Sequence, residues 1–288
     1  MSLACGTLSY RQAPLERALE GIRRAGFTAV ELGCVCGYCE HVRPEEMASP
    51  DVERLSKLLR QFDLEVISLA GHVDLQYPLL DKGPEVADRG FELLRRRADL
   101  AQQLGVPIVN SGLGVAEPGE RLEPFYARLA TLLDYFHERG VKLGLESHAG
   151  LTETARASLE LCRRMQSPAL GINYDAANVR FYTGQDPVAD LESCEADLAD
   201  YLIHVHIKDH AGGRGDWNFP PLGEGNVDFD GLTRSFRRLG YLGPYSLEIE
   251  FLGPDSTDPT PEIIDVGVAQ SYEFMRRLGL EAAGDGMR

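Results

Sequence analysis

Residues 123–148 read EPFYARLATLLDYFHERGVKLGLESH, and this stretch holds the unit from which the chain is built. Phe125, Leu129, Leu132, Leu133 and Phe136 recur at intervals of three and four, the period of a helix with one apolar face. Gly140 follows the last turn, where a residue without a Cβ closes a helix in the left-handed conformation. Next comes a short apolar run, 142–147, that reads as a strand and ends on Glu146 and Ser147, with His148 beyond it.

Outward from this unit the pattern repeats. Apolar runs of the same kind lie at 3–9, 28–32, 65–71, 107–111, 169–174, 201–207 and 245–249, which with 142–147 makes eight. Helical periodicity occupies 14–25, 51–62, 85–104 and 123–139, and Gly26, Gly105 and Gly240 stand where Gly140 does. Pro14 suits a first helical turn. Eight strand-then-helix units in 288 residues, with no Pro/Ser-rich linker, predict an α/β chain folded as a single-domain (β/α)8 barrel over 1–280, with 281–288 as a frayed tail. An open doubly wound sheet is the alternative. It is disfavoured because Ser9-Tyr10-Arg11-Gln12 follows the first strand, where a dinucleotide site needs a glycine-rich turn.

With 43% hydrophobic and 26% charged residues the chain has material for one large core, which excludes disorder. Lys plus Arg total 29 against 45 Asp plus Glu, a net charge of −16 that repels a phosphate backbone and argues against a nucleic-acid partner. No run approaches the roughly 20 apolar residues of a membrane span, and Met1-Ser2-Leu3-Ala4 does not open a signal peptide. The expectation is a cytoplasmic protein with no membrane partner and with its six cysteines reduced. Cys34, Cys36 and Cys39, with His41 beside them, are soft ligands, but their spacing matches no pair of zinc knuckles, so a loop role is expected ahead of a metal site.

In a parallel barrel the chemistry sits at the C-terminal ends of the strands. Four consecutive strands end on groups that ligate metals: Glu146 on the fifth, Asp175 on the sixth, His206 on the seventh and Glu248 on the eighth. Two Glu, one Asp and one His form a hard-oxygen and imidazole set suited to one divalent cation, Mn2+ foremost, with Mg2+, Co2+ or Zn2+ as alternatives. Without a cation these converging groups would repel one another. Alternation puts His204 on the same face as His206; the latter lies nearer the strand end and is preferred. His72, Glu31 and Asn110 occupy barrel-mouth positions and are expected to read a polyol. The glycine-rich stretch 212–217 ends on Trp217, the single tryptophan, placed to shield the site, stack on a sugar or simply pack.

The segments Leu145-Glu146, Tyr174-Asp175-Ala176-Ala177-Asn178, His204-Val205-His206-Ile207-Lys208-Asp209, Leu222-Gly223-Glu224-Gly225-Asn226 and Ser246-Leu247-Glu248, in this order, resemble the xylose isomerase-like barrel superfamily. That group holds sugar phosphate isomerases and epimerases, including tagatose and psicose 3-epimerases, together with inosose dehydratase and AP endonucleases. The resemblance implies that Glu146 and Glu248 both hold the metal and exchange a proton with a sugar carbon. The implied activity is a metal-dependent isomerase or epimerase of a ketose or keto-polyol, working through an enediolate.

Asn178 stands where many relatives have a histidine, and its amide still serves a sugar hydroxyl. Lys208-Asp209 is closer to the inosose dehydratase form, and Lys208 would stabilise an enolate oxygen, which serves elimination as well as isomerisation. His204 joins the expected substrate contacts. A lyase or dehydratase of a keto-sugar or keto-inositol is therefore the alternative. An AP endonuclease stands lower, because Ser111, Gly112, Asn178 and Phe219-Pro220-Pro221 fill positions where its extra histidines belong. A non-catalytic sugar-binding barrel stands lower too, given both flanking carboxylates. Gly223-Glu224-Gly225 is expected to be a structural turn. The absence of a basic run at the mouth favours a sugar without phosphate, and homo-oligomerisation is left open.

Overall fold

β1 (Leu3–Gly6) pairs in parallel with β2 (Ala29–Gly33) on one side and with β8 (Tyr245–Leu247) on the other, and this second pairing closes the sheet. The computed structural model describes residues 3–80, 82–116, 119, 121–251, 257 and 259–280; the expected tail at 281–288 lies outside them. Between these strands run β3 (Glu65–Ala70), β4 (Ile108–Ser111), β5 (Lys142–Glu146), β6 (Leu170–Asp175) and β7 (Leu202–Ile207), each parallel to its neighbour. The result is the closed eight-stranded barrel that the alternating pattern predicts, and the open-sheet alternative is excluded by the register Leu3↔Tyr245, Ala4↔Ser246 and Cys5↔Leu247.

The outer layer is formed by α1 (Leu15–Ala25), α2 (Ser49–Gln61), α3 (Pro84–Leu104), α4 (Glu123–Glu138) and α5 (Ala155–Met165), followed by α6 (Ala176–Thr183), α7 (Pro187–Glu192), α8 (Glu195–Leu198), α9 (Phe229–Arg238) and α10 (Pro261–Arg277). Helix α4 buries the face read from its periodicity, with Phe125, Leu129, Leu132, Leu133 and Phe136 all in the core. Gly26, Gly105, Gly140 and Gly240 all have positive φ, the conformation expected of them. Among the described residues no helix is long and apolar enough to cross a membrane.

Two strands fall short of the expected bounds by more than one residue. Residues 7–10 leave the first strand as a 3-10 turn, because hydroxyls take over from the ladder: Thr7 Oγ1 accepts from Gly33 N (2.9 Å) and Ser9 Oγ from Ile249 N (3.1 Å). The eighth strand stops at Leu247, and Glu248 keeps one further ladder bond, from its N–H to Ile207 O (3.1 Å). Both departures lie at the C-terminal rim, where the backbone turns to carry side chains into the mouth.

The cysteines are free and buried. Arg97 on α3, only 1% exposed, reaches between Cys34 and Cys36, donating to Cys34 O (2.7 Å) and to Cys36 Sγ (3.1 Å). Its fixed charge satisfies a carbonyl that the β2–α2 loop would otherwise leave unpaired. Cys39 lies 3.5 Å from His41 Nδ1, and His41 Nε2 reaches Ala13 O (2.8 Å), so this segment is held by packing and hydrogen bonds. Among the described residues no grouping of metal-ligating atoms includes these thiols.

Candidate metal centre

At the C-terminal mouth, Glu146, Asp175, His206 and Glu248 come from β5, β6, β7 and the residue after β8, and one ligand atom of each lies within 4.8 Å of all the others. His206 Nδ1 faces Glu146 Oε2 at 3.3 Å, Glu248 Oε2 at 3.6 Å and Asp175 Oδ2 at 3.8 Å. All four side chains are buried.

Strand β6 runs directly into α6, and Asp175 is that helix's N-cap: its Oδ1 accepts from Asn178 N (2.9 Å). The cap turns Oδ2 toward the cluster, where it is buried with no hydrogen-bond partner among the described residues. An acceptor left so costs about 1–3 kcal/mol. His206 Nε2 lies 2.8 Å from Glu31 Oε2, so the hydrogen bond assigns the proton to Nε2 and leaves Nδ1 facing the three carboxylates. This is the arrangement of an imidazole that ligates a metal through one nitrogen while a carboxylate orients the other. An orphaned carboxylate oxygen, two further carboxylates and an oriented imidazole fit a divalent cation.

The electrostatics agree with that fit. Burial raises the Asp175 pKa to about 6, with Lys208 opposing and Glu146 reinforcing the rise. Burial raises that of Glu248 to about 8, against the pull of His206 and Lys208. Glu146 is held well below the usual carboxylate range, because His72 and His206 outweigh its burial. The ring of His206 is held well above the usual histidine range, since Glu248, Glu31 and Glu146 overcome the opposing effect of burial; in the metal-free protein Nδ1 therefore carries a second proton, which a cation would displace. Positive charge is what this cluster selects for.

Above the cluster opens a cavity of about 110 Å3. Glu146, Glu248, Asn178, Lys208, His72 and Trp217, all named from sequence, line it. Asn178 Nδ2 donates to Glu146 Oε1 (3.0 Å), and His72 Nε2 lies 2.8 Å from Glu146 Oε2. Lys208 Nζ reaches Asn178 Oδ1 (3.3 Å), Glu248 Oε2 (3.4 Å) and Glu250, and stands 4.5 Å from the Phe219 ring centre. Trp217 packs against Phe181 and Phe219, and its indole N–H has no partner among the described residues.

Glu31, Asn110 and His204, expected from sequence to touch substrate, do not line the cavity. They lie beneath its floor. Asn110 Nδ2 donates to Glu31 Oε1 (2.7 Å), and Glu31 in turn holds His206, so both act on the ligand set from below. His204 is wholly buried, with Nδ1 2.8 Å from Asn173 Oδ1 and Nε2 between the hydroxyls of Ser246 (3.0 Å) and Ser68 (3.2 Å). Burial lowers its pKa to about 4, as suits a neutral ring fixed in the barrel interior.

Asp209 explains the Lys-Asp pair and the glycine turn together. Its Oδ2 accepts from Gly223 N and Gly225 N, both at 2.9 Å, and its Oδ1 from Val227 N (3.2 Å). A Cβ on Gly225 would sit 2.2 Å from Asp209 Oδ1, so the turn takes glycine for close approach, and Glu224 itself is exposed. Sequence reasoning missed Asp74, His148, Asn173, Tyr182 and Glu250. Asn173 and Glu250 each sit two residues from a named ligand on the same face, a signal that strand alternation offered. Asp74 and His148 lie in the loops after β3 and β5, where no period applies, while Tyr182 lies on α6 four residues after Asn178, a helical interval that could have found it.

With fold and site in place, comparison with known proteins gives the class. Residues 19–277 match the family model described as the xylose isomerase-like TIM barrel, and the chain belongs to that family. It is 26% identical over 242 residues to a ketose 3-epimerase of Arthrobacter globiformis, covering 80% of this chain and 76% of that protein. Among solved structures, a D-allulose 3-epimerase from Methylomonas sp. superposes with a TM-score of 0.74 at 20% identity, covering 96% of this chain and 98% of the other. A probable 3-DHS dehydratase from Bacillus anthracis superposes with a TM-score of 0.70 at 19% identity, covering 93% and 97%.

Proposed function

We propose that this protein is a divalent-metal-dependent isomerase or epimerase that acts on a ketose or keto-polyol through an enediolate. The observation that carries the reading is the convergence of Glu146, Asp175, His206 and Glu248 from four successive strand ends, with Asp175 Oδ2 left without a hydrogen bond among the described residues. These four residues hold one cation, and the oxygen-rich donor set favours Mn2+, with Mg2+, Co2+ or Zn2+ as alternatives. When bound, the cation polarises the substrate's carbonyl and its neighbouring hydroxyl.

The chain's own residues do the rest. Glu146 and Glu248 flank the cavity floor and exchange the proton on the carbon beside the carbonyl: one removes it, and the other returns one to the opposite face. Asn178 and His72 hold the two oxygens of Glu146 in place. Lys208, kept charged by its carboxylate neighbours, offers a fixed positive group toward a developing oxyanion. Phe181, Trp217 and Phe219 form an apolar wall that excludes water. A cavity needs roughly 10–15 Å3 of such space to hold one water. The 110 Å3 therefore suits a single sugar rather than an oligosaccharide. Lys208 is the one lysine or arginine among the described lining residues and is already paired with Glu250, which supports a substrate without phosphate. The similarity to ketose 3-epimerases supports the same substrate class.

Elimination of water or an alcohol from a keto-sugar or keto-inositol is the second reading. It shares the first proton abstraction and is favoured by Lys208, whose charge would hold an enolate while a leaving group departs. The test is a screen of ketoses in deuterated water with Mn2+-loaded protein. A product of unchanged constitution carrying one deuterium at the carbon beside the carbonyl supports epimerisation. Loss of water selects the second reading, and no exchange with any ketose or keto-inositol overturns both.

A further inference from the structure

Beside the candidate metal centre lies a cluster centred on Asp74, a residue that the roles above leave unused. Asp74, in the loop after β3, is nearly enclosed, its side chain 3% exposed, and it faces two imidazoles at once. Its Oδ1 lies 3.3 Å from His72 Nδ1 and its Oδ2 3.2 Å from His148 Nδ1. Each ring then extends outward by its other nitrogen: His72 Nε2 to Glu146 Oε2 at 2.8 Å, and His148 Nε2 to the Tyr182 hydroxyl at 2.8 Å. Five side chains from three segments, the loop after β3, the end of β5 and α6, thus form one chain of contacts, and its two ends, Glu146 and Tyr182, both line the cavity.

The backbone has been cleared for the residue at its centre. A Cβ on Gly112, just after β4, would lie 2.5 Å from Asp74 Oδ2, and the three heavy atoms nearest to it all belong to the Asp74 carboxylate. Gly112 has no positive φ, so its lack of a side chain answers to space and not to backbone conformation. Its N–H also lies 3.0 Å from His72 Nδ1, and Nδ1 bonds Asp74 when it carries a proton and Gly112 when it does not. Glycine and aspartate together are what let two rings stand 5.7 Å apart, centre to centre, with a carboxylate between them.

We propose that Asp74 is a positioning residue that, by holding His72 and His148 together, fixes Glu146 for the metal and Tyr182 for the substrate. The inference rests on the metal reading above. A side chain with no contact of its own to cation or substrate thereby tunes both, as carboxylates behind ligating groups do elsewhere.

The test is Mn2+ titration by calorimetry on chelator-treated wild type, Asp74→Asn, His72→Gln and the double variant, with thermal unfolding of the metal-free proteins as a check on folding. Asp74→Asn and His72→Gln should each bind one Mn2+ about 10–100-fold more weakly than wild type. The double variant should be no weaker than the worse single, because both act along one path. Should Asp74→Asn fail to fold, Gly112→Ala carries the measurement, since it displaces the carboxylate without removing it. Wild-type affinity in these variants, or losses that multiply in the double variant, would overturn the proposal. So would a second Mn2+ per chain that Asp74→Asn abolishes, because Asp74 would then itself be a ligand. Ring 15N shifts in metal-free protein separate this inference from the one beneath it. Asp74→Asn should move both His72 and His148 signals whether or not metal binds, and unmoved signals overturn the positioning role. A wild type that takes up no Mn2+ while those signals move overturns the metal reading instead.

Discussion

Glu31 Oε2 lies 2.8 Å from His206 Nε2, a contact between β2 and β7 that spans 175 residues of sequence and is closed to solvent on both sides. It sets which ring nitrogen faces the three carboxylates. His206 outweighs the effect of burial and holds the Glu31 pKa down to about 2, so the carboxylate stays ionised at any working pH. Replacing it by Gln keeps the shape but removes the charge and leaves an amide free to present its N–H to the ring. Glu31→Gln should therefore lower Mn2+ affinity about 10–100-fold with little change in fold. Calorimetry with far-ultraviolet circular dichroism reads both, and undiminished affinity would show that the ring orients without Glu31.

The two carboxylates proposed to exchange the proton make a sharper prediction. Glu146→Gln and Glu248→Gln should each slow exchange at the substrate carbon by about 10²–10⁴-fold, the usual contribution of a positioned acid or base. Substrate should still bind, more weakly. Full turnover in either variant removes that residue from the reaction.

Gly144→Ala tests the layer under the site. The new Cβ would stand 2.2 Å from Asn110 Oδ1, and Asn110 is wholly buried while donating to Glu31. The amide has no solvent-facing position to retreat to, so the substitution should destabilise the fold by roughly 1–3 kcal/mol, as overpacking does. Because Asn110 steadies Glu31, Mn2+ affinity should fall with it; denaturant titration and calorimetry on the same sample check both.

His41 gives a pH dependence away from the mouth. Burial depresses its pKa below the usual value, against the opposing effect of its bond to Ala13 O. A depressed histidine pKa means that the unfolded chain takes up the proton first. Its contribution is complete above about pH 6.5 and is lost as pH falls toward the folded-state value. Between pH 7.5 and 5, wild type should lose more stability than His41→Ala does. Parallel curves for the two proteins would place the pH sensitivity elsewhere.

Much of the site was legible from strand ends alone. Glu146, Asp175, His206 and Glu248 each terminate or closely follow an apolar run, and in a parallel barrel those ends share one rim, so their meeting follows from the alternation itself. Choosing His206 over His204 needed only distance along the strand. What such reasoning does not reach is depth. Glu31, Asn110 and His204 lie at strand positions that read as barrel mouth, yet their side chains sit one layer down and touch one another or the hydroxyls of Ser68 and Ser246.

Local pattern carried the barrel, its glycine caps, the buried face of α4 and the convergence of four side chains at the mouth, because each depends on periods of two or 3.6 residues and on parallel order, both written in neighbouring residues. The Asp74 cluster, the pairing of Glu31 with His206, and the Asp209 clasp on Gly223 and Gly225 arise only when segments far apart in sequence come within 3 or 4 Å. Contacts of that kind depend on barrel closure, strand stagger and the room left by a missing Cβ. These are properties of the packed whole that no single stretch of chain contains.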